Sequence, residues 1–399
     1  MRTGTPDPAL AAASLVGVMF INMLGFGIII PLLPFYAQSF DAAPWQIALI
    51  FSAFPIGAFF GEPFWGRLSD RLGRKPLLIS TVTGNLLCYL ALAFAGDVWT
   101  AFLIRLIGGA ASGNGAVMQG YIADVTPPEQ RTRRLSWIGA AASLGLVVGP
   151  SIGGVFAHPE AGSAGFRVPL LIAAGFSALA LVSLLLFIRE PLTHREERPH
   201  QSRLAALGEV TRHPVIGRLM LLTFLVGFAF TGIESVFGLW GEARFGWGPK
   251  EVGWCFAVAG GVSAVTQFFV TGPLSERFGE ARVLAVGMAL TVIGCALQTQ
   301  STGIAMTTAL MALTALGQSV SWPNVGALIS RAADPAKQGQ VLGLNNACGA
   351  LARVAGPLTA GLAFAGVSID APFVIAALVV APAILLALSA AGRARVPAL

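Results

Sequence analysis

Runs of apolar residues long enough to cross the hydrocarbon core of a bilayer as helices follow one another along this chain, separated by short segments that hold most of the charge. Twelve can be marked, at about 10–36, 45–65, 76–95, 98–122, 135–157, 167–188, 215–240, 251–272, 282–300, 303–329, 339–365 and 370–391. The first is too long for the apolar core of a signal peptide and no small-residue cleavage site follows it, so it reads as a spanning helix. The longest polar interval, residues 189–214, opens on Arg189-Glu190-Pro191 and closes on Arg212-His213-Pro214, with room for no more than a short surface helix at 202–210. The pattern predicts an all-α polytopic membrane protein of twelve transmembrane helices. Residues 1–188 form an N-terminal six-helix half, 189–214 a cytoplasmic linker and 215–399 a C-terminal six-helix half.

Composition removes the soluble alternative. Apolar residues make up 55% of the chain and charged residues 11%, with a mean hydropathy of +0.75, whereas soluble domains are about a quarter charged. A net charge of +6 raises the question of nucleic acid. The cations sit in alternate loops, without the stripe and aromatic interleaving such binding uses, so no nucleic-acid partner is expected. Of the 25 Lys and Arg, 20 fall on one side of the predicted spans, and the positive-inside rule places both termini and the linker in the cytoplasm, with the inner (plasma) membrane as the expected location. Cys88, Cys255, Cys295 and Cys348 lie far apart inside apolar runs, and the four histidines lie in loops without ligand spacing. Neither a disulfide, a metal nor a cofactor is expected. No G-x-x-x-x-G-K-[ST] occurs, so any transport would draw on an ion gradient, and no constellation supports an enzyme.

The two halves repeat. Gly66-Arg67-Leu68-Ser69-Asp70-Arg71-Leu72-Gly73 has a partner in Gly272-Pro273-Leu274-Ser275-Glu276-Arg277-Phe278-Gly279, and Gly149-Pro150 has one in Gly356-Pro357, at separations of 206 and 207 residues. Parallel six-helix repeats of this kind place a binding site between them near the bilayer midplane.

Charge inside or beside the spans marks the candidate chemistry. The turn after the second run holds Gly66, Asp70, Arg71, Gly73, Arg74 and Lys75, and Asp124 and Arg131 close the fourth run on the same side. Exchangeable ion pairs there would form a gate or latch with two arrangements. The two glycines would permit close backbone approach, and Asp70 could cap a helix or pair with an arginine. Arg105 lies well inside the fourth run, Glu234 deep in the seventh and Arg353 in the eleventh, while Glu62 is about one turn from the charged loop. Intramembrane ionisable groups are functional candidates by default. Glu234 is the candidate proton carrier with Arg353 as its counter-charge, because a carboxyl removed from water exchanges a proton nearer neutral pH than a solvated one does. Glu62 is expected to support the latch. Gly145, Gly149, Pro150, Gly153 and Gly154 in the fifth run form a smooth, bendable helix face. Asn22, Phe26, Gln119, Phe230, Trp322 and Asn324 are candidate cavity residues whose mostly apolar character suits a moderately hydrophobic solute.

The turn matches G-x-x-x-D-R-x-G-R-[RK] at every fixed position, the fourth run contains R-x-x-x-G at Arg105–Gly109, and the fifth contains G-x-x-x-G-P-x-x-G-G. In these motifs the chain resembles the major facilitator superfamily, and within it the twelve-helix drug:proton antiporters. Leu24-Gly25 with Pro31 and Pro34 resembles the drug-antiporter pattern for the first span, and Arg244-Phe245-Gly246-Trp247 and residues 269–273 with Arg277-Phe278-Gly279-Glu280 make the chain most similar in appearance to the tetracycline efflux proteins. The resemblance implies the twelve-helix fold of that superfamily, a small-molecule substrate exchanged for protons, a monomer, and a coupling role for Arg105. The fifth-span motif is that of the antiporter branch. Where the tetracycline proteins carry membrane acids and a histidine, this chain has Asn22, Cys88, Thr291 and Ser263. The expected function is export of small amphipathic or hydrophobic compounds, tetracycline-like drugs among them, by alternating access. A proton symporter importing a metabolite, or a non-transporting membrane sensor or scaffold, are the competing readings.

Overall fold

A computed structural model describes residues 8–126, 128–190, 214–334 and 338–393. All the regular elements among them are helical: α1 (Pro8–Ile29), α2 (Leu33–Gln38), α3 (Pro44–Leu72), α4 (Arg74–Ala93), α5 (Val98–Ala111), α6 (Asn114–Val125), α7 (Pro128–Phe156), α8 (Arg167–Phe187), α9 (Pro214–Phe245), α10 (Pro249–Val265), α11 (Thr271–Phe278), α12 (Glu280–Gln298), α13 (Ile304–Ala332), α14 (Gln338–Gly366) and α15 (Ala371–Arg393). A 3-10 segment, Pro159–Phe166, leads into α8, and a π turn, Thr266–Val270, joins α10 to α11.

Among the described residues, ten helical stretches are long and apolar enough to cross a membrane, and Ala13–Ile29 and Val98–Ala111 are shorter apolar helices. Those two belong to spans that break in the middle, which accounts for the twelve predicted runs. The first breaks between α1 and α2 at Pro31, where a backbone donor is missing. The fourth breaks at Ser112-Gly113, where a Cβ on Gly113 would stand 2.5 Å from Cβ of Trp65. The eighth widens into its π turn just before Pro273, whose missing N–H leaves a carbonyl of the preceding turn without its helical partner. Phe269 (75% exposed), Val367 (77%) and Leu385 (71%) are typical of an outer surface no aqueous protein would present, and lipid covers it.

The chain separates into two compact units, Met1–Glu197 with Gly248–Ala257, and Arg198–Trp247 with Val258–Leu399. In the first, α1 packs on α7 and α8, α3 on α5, and α4 on α8. The α3–α5 contact is a meeting of backbones: Gly57 and Gly61 abut the Leu106 and Ala110 carbonyls, and Gly109 abuts the Phe54 carbonyl. Such approach needs small residues on both sides. Beneath the charged turn, Leu15, Leu77, Leu78, Met118, Tyr121 and Leu184 form a closed apolar core.

The second unit repeats part of the scheme. Helix α9 packs on α14 and α15, and α12 on α15 and α13. A polar anchor ties the end of α9 to the start of α15: Asp370 accepts from the Trp240 indole at 2.8 Å and pairs with Arg244 at 3.1 Å.

Candidate functional site

The charged turn is built on one glycine. Gly73 ends α3 and begins α4 at φ 105°, a left-handed conformation that strains any side chain, and its amide donates to the Ser69 carbonyl at 3.1 Å. Gly66, for which close approach was also expected, has open space where a Cβ would stand, so packing gives no reason for it. Arg74, the first residue of α4, sits at the centre. It pairs with Asp70 at 2.7 Å and with Asp124 at the end of α6 at 2.9 Å, and donates to the Ser69 hydroxyl at 2.6 Å. Arg71 is exposed, as is Glu62 on α3. Arg131 starts a turn of α7, and its side chain lies outside the described residues.

A residue not among the candidates completes this cluster. Glu190, three residues beyond α8, accepts the backbone N–H groups of Arg74 and Lys75, one on each carboxylate oxygen, both at 2.7 Å. A carboxylate at a helix N-terminus satisfies orphan donors and meets the positive end of the helix dipole. Tyr121 donates to the Arg189 carbonyl at 2.7 Å and holds the same segment. The sequence signal was Arg189-Glu190-Pro191, directly after the sixth span, where an acid flanked by a chain-stiffening proline looked like mere linker.

The repeat carries the same geometry with the charges exchanged. Gly279 ends α11 and begins α12 at φ 84°, and its amide donates to the Ser275 carbonyl at 2.9 Å. Glu280 stands 206 residues after Arg74 and Arg331 stands 207 after Asp124. These two pair at 2.6 Å. In the second unit the acid is at a helix N-terminus and the base in a last turn, both favoured by the helix dipole. In the first unit both placements are opposed, and Glu190 supplies the missing negative charge.

The fifth-span glycines have clear partners. A Cβ on Gly145 would stand 2.6 Å from the Phe20 carbonyl oxygen and one on Gly149 2.7 Å from the Leu24 oxygen, while Gly153 abuts the Ile28 carbonyl, so three of the motif's glycines seat α7 on α1. Pro150 lies inside α7, its ring beside Gly27. Gly154 faces Pro249 and Gly253, in the ten-residue stretch that belongs to the first unit. Gly356 repeats the arrangement on α14, 2.5 Å from the Phe228 carbonyl oxygen for an added Cβ.

Inside the first unit the candidates from separate spans meet. Asn22 on α1 accepts from Asn85 on α4 at 3.1 Å, and its own Nδ2 is buried with no partner. One turn along α1, Phe26 packs on Phe54 with ring centroids 5.5 Å apart. The Arg105 guanidinium lies 5.2 Å from the centre of that Phe54 ring. Arg105 is 7% exposed, its Nε has no partner, and none of the ion pairs among the described residues includes it. Gln119 is exposed on α6.

In the second unit, Arg353 on α14 is the cation whose charge Glu234 feels. Both lie within spans, and Phe230 is half-buried one turn before Glu234. The Trp322 indole, 45% exposed, lies between Gly227 of α9 and Gly349 of α14. Asn324, the remaining cavity candidate, is tied to its neighbours. It is 2% exposed, accepts from Ser275 at 2.8 Å and donates to the Val320 carbonyl at 2.8 Å, so its amide is consumed in holding α11 to α13. Ser263 donates to the Ala315 carbonyl at 3.0 Å and Thr291 to the Gly287 carbonyl at 3.1 Å.

Paired repeats of membrane-spanning helices, each with a charged glycine turn and a glycine-proline span, together with ionisable groups kept inside the apolar layer, define a polytopic carrier-type membrane protein. Residues 15–249 and 219–398 each match the Major Facilitator Superfamily. The chain belongs to that superfamily and is a multi-pass membrane transporter of small molecules. It is 29% identical over 351 residues to the tetracycline resistance protein, class C, of Escherichia coli, covering 86% of this chain and 87% of that protein. It is 26% identical to multidrug resistance protein 2 of Bacillus subtilis (strain 168), covering 92% and 91%. The crystal structure of the nucleoside transporter NupG superposes with a TM-score of 0.75 at 14% identity, covering 97% of this chain and all of that one, and shares the fold.

Proposed function

We propose that this transporter exports small amphipathic or hydrophobic compounds in exchange for protons, by alternating access of its two six-helix halves. The observation that carries the reading is Glu234, a carboxyl inside the seventh span within the field of Arg353. A carboxyl so placed suits a proton carrier. The resistance proteins among the relatives support the outward direction and a drug-like cargo. The Arg74 cluster acts as the gate, with Asp70, Asp124 and Glu190 as its alternative partners and Arg71 and Arg131 as further cations. Arg105 contributes to coupling. The excess of cations in alternate loops supports an inner-membrane orientation with both termini and the linker in the cytoplasm. The working unit is a monomer. Proteoliposomes with an imposed proton gradient test the reading: tetracycline or ethidium moves against its gradient, and Glu234→Gln uncouples that movement. Unchanged gradient-driven transport in Glu234→Gln overturns the assignment of the proton carrier.

A further inference from the structure

The interior of the first unit is rich in donors and poor in charge balance. Arg105 brings five N–H donors and no acceptor. It is 93% removed from solvent (7% exposed), its Nε is orphaned, and no carboxylate pairs with it among the described residues. The ionisable groups that act on it are Tyr89 and Cys88 of α4, both neutral donors in their ordinary state. One turn before Phe26 on α1 an amide of the same unit is donor-rich too, since Asn22 spends its oxygen on Asn85 and keeps an unpartnered Nδ2. Phe54 offers its ring face to the guanidinium at 5.2 Å, worth roughly 0.5–2 kcal/mol. An intramembrane cation costs more than that, at least about 2.5–3.5 kcal/mol, so the ring alone does not balance it.

An arrangement with surplus donors and one uncompensated positive charge is complementary to an acceptor-only, negatively charged group, and a carboxylate matches a guanidinium in bidentate fashion. The aromatic pair Phe26 and Phe54 beside it offers a wall for an apolar body. We propose that Arg105 anchors the carboxylate of an amphipathic organic acid, with the acid's aromatic or apolar body against Phe26 and Phe54. The proposal rests on the reading of this chain as an exporter of amphipathic compounds and narrows that class to acids.

The test uses the full-length protein in nanodiscs of zwitterionic lipid, titrated with naphthalene-2-carboxylate, its uncharged primary amide and 2-naphthylmethylammonium. The carboxylate is expected to bind at least about tenfold more tightly than the amide, and Arg105→Gln to abolish that preference while Arg105→Lys keeps part of it. An amide or ammonium that binds as tightly as the acid overturns the proposal, as does no binding of the acid, or an unchanged preference in Arg105→Gln. If Arg105→Gln elutes aggregated, the wild-type comparison decides alone. Gradient-driven transport of either ethidium or the naphthalene carboxylate in proteoliposomes separates the two readings. Efflux without acid preference removes only this inference, and acid preference without gradient-driven transport removes the exporter and leaves the subsite.

Discussion

Glu190→Ala removes the carboxylate that holds the first two amides of α4, and the structure sets the size of the effect. Two charge-assisted hydrogen bonds of 2.7 Å are lost. Bonds to charged groups contribute about 1.5–3 kcal/mol each when buried, but Glu190 is only half-buried and water replaces part of the loss. A charged cap on this scale is worth about 2 kcal/mol, the upper end of measured capping effects. That corresponds to roughly 30-fold in the local opening equilibrium. Hydrogen exchange in nanodiscs reads it directly: the amides of Arg74 and Lys75 should exchange about 30-fold faster, with those at the start of α12 unchanged. A second background checks the electrostatic cause. In Arg74→Glu/Asp124→Arg the first unit takes the charge order of the second, with the acid at the helix N-terminus. Removing Glu190 there should cost much less, or stabilise the turn by relieving repulsion. Equal losses in both backgrounds, or no change in exchange in the first, would refute the dipole argument.

Two further outcomes follow from packing and capping. Gly109→Ala would set a Cβ on the Phe54 carbonyl, a backbone atom that cannot swing away, so α3 and α5 must part and the thermal midpoint should fall by the equivalent of about 1–3 kcal/mol; an unchanged midpoint would contradict the close contact. Asp97 caps α5 by accepting the amides of Trp99 and Thr100 at 2.9 Å, and the Thr100 hydroxyl bond first, then those amides, hold its carboxyl below the ordinary aspartate range. A depressed carboxyl stabilises the fold above its unfolded pKa and loses that contribution as pH falls through the folded one. The wild type should therefore melt above Asp97→Asn at neutral pH, with the gap closing below the usual aspartate range; a gap that persists in acid would show that the carboxylate charge is not its source.

The spans were legible because the lipid leaves a helix few choices: backbone groups must be paired internally, and about twenty apolar residues are needed. What the pattern did not show is how spans are interrupted. The breaks at Pro31 and Gly113 and the π turn before Pro273 keep the apolar run continuous while changing the hydrogen bonding, so hydropathy passes over them. The duplication was visible from Gly66 and Gly272 onward, yet the reversed ion pair Glu280–Arg331 was not. It is a sequence-distant pair of opposite sign, and matching residues by likeness hides a match by exchange. Glu190 was missed for the same kind of reason, being 116 residues from the amide it holds. Asn85 and Phe54 were missed because a lone amide or ring within an apolar run gains meaning only from its neighbours. Asn324 is legible in the sequence as a polar group in a span, but its bonds to Ser275 and to its own helix are not.

The two ways of securing a charged turn also set an order of assembly. In the second unit Glu280 lies in the first turn of the helix it favours, so that end is secured as soon as α12 is made. In the first unit the ribosome must deliver 116 more residues after Arg74 before its capping carboxylate exists. Helix α4 must therefore wait in the membrane with an uncapped, cation-bearing end until the sixth span emerges. The last residues of that half thus act as its completion signal, and a chain stalled or truncated before Glu190 would leave the first two amides of α4 without their carboxylate.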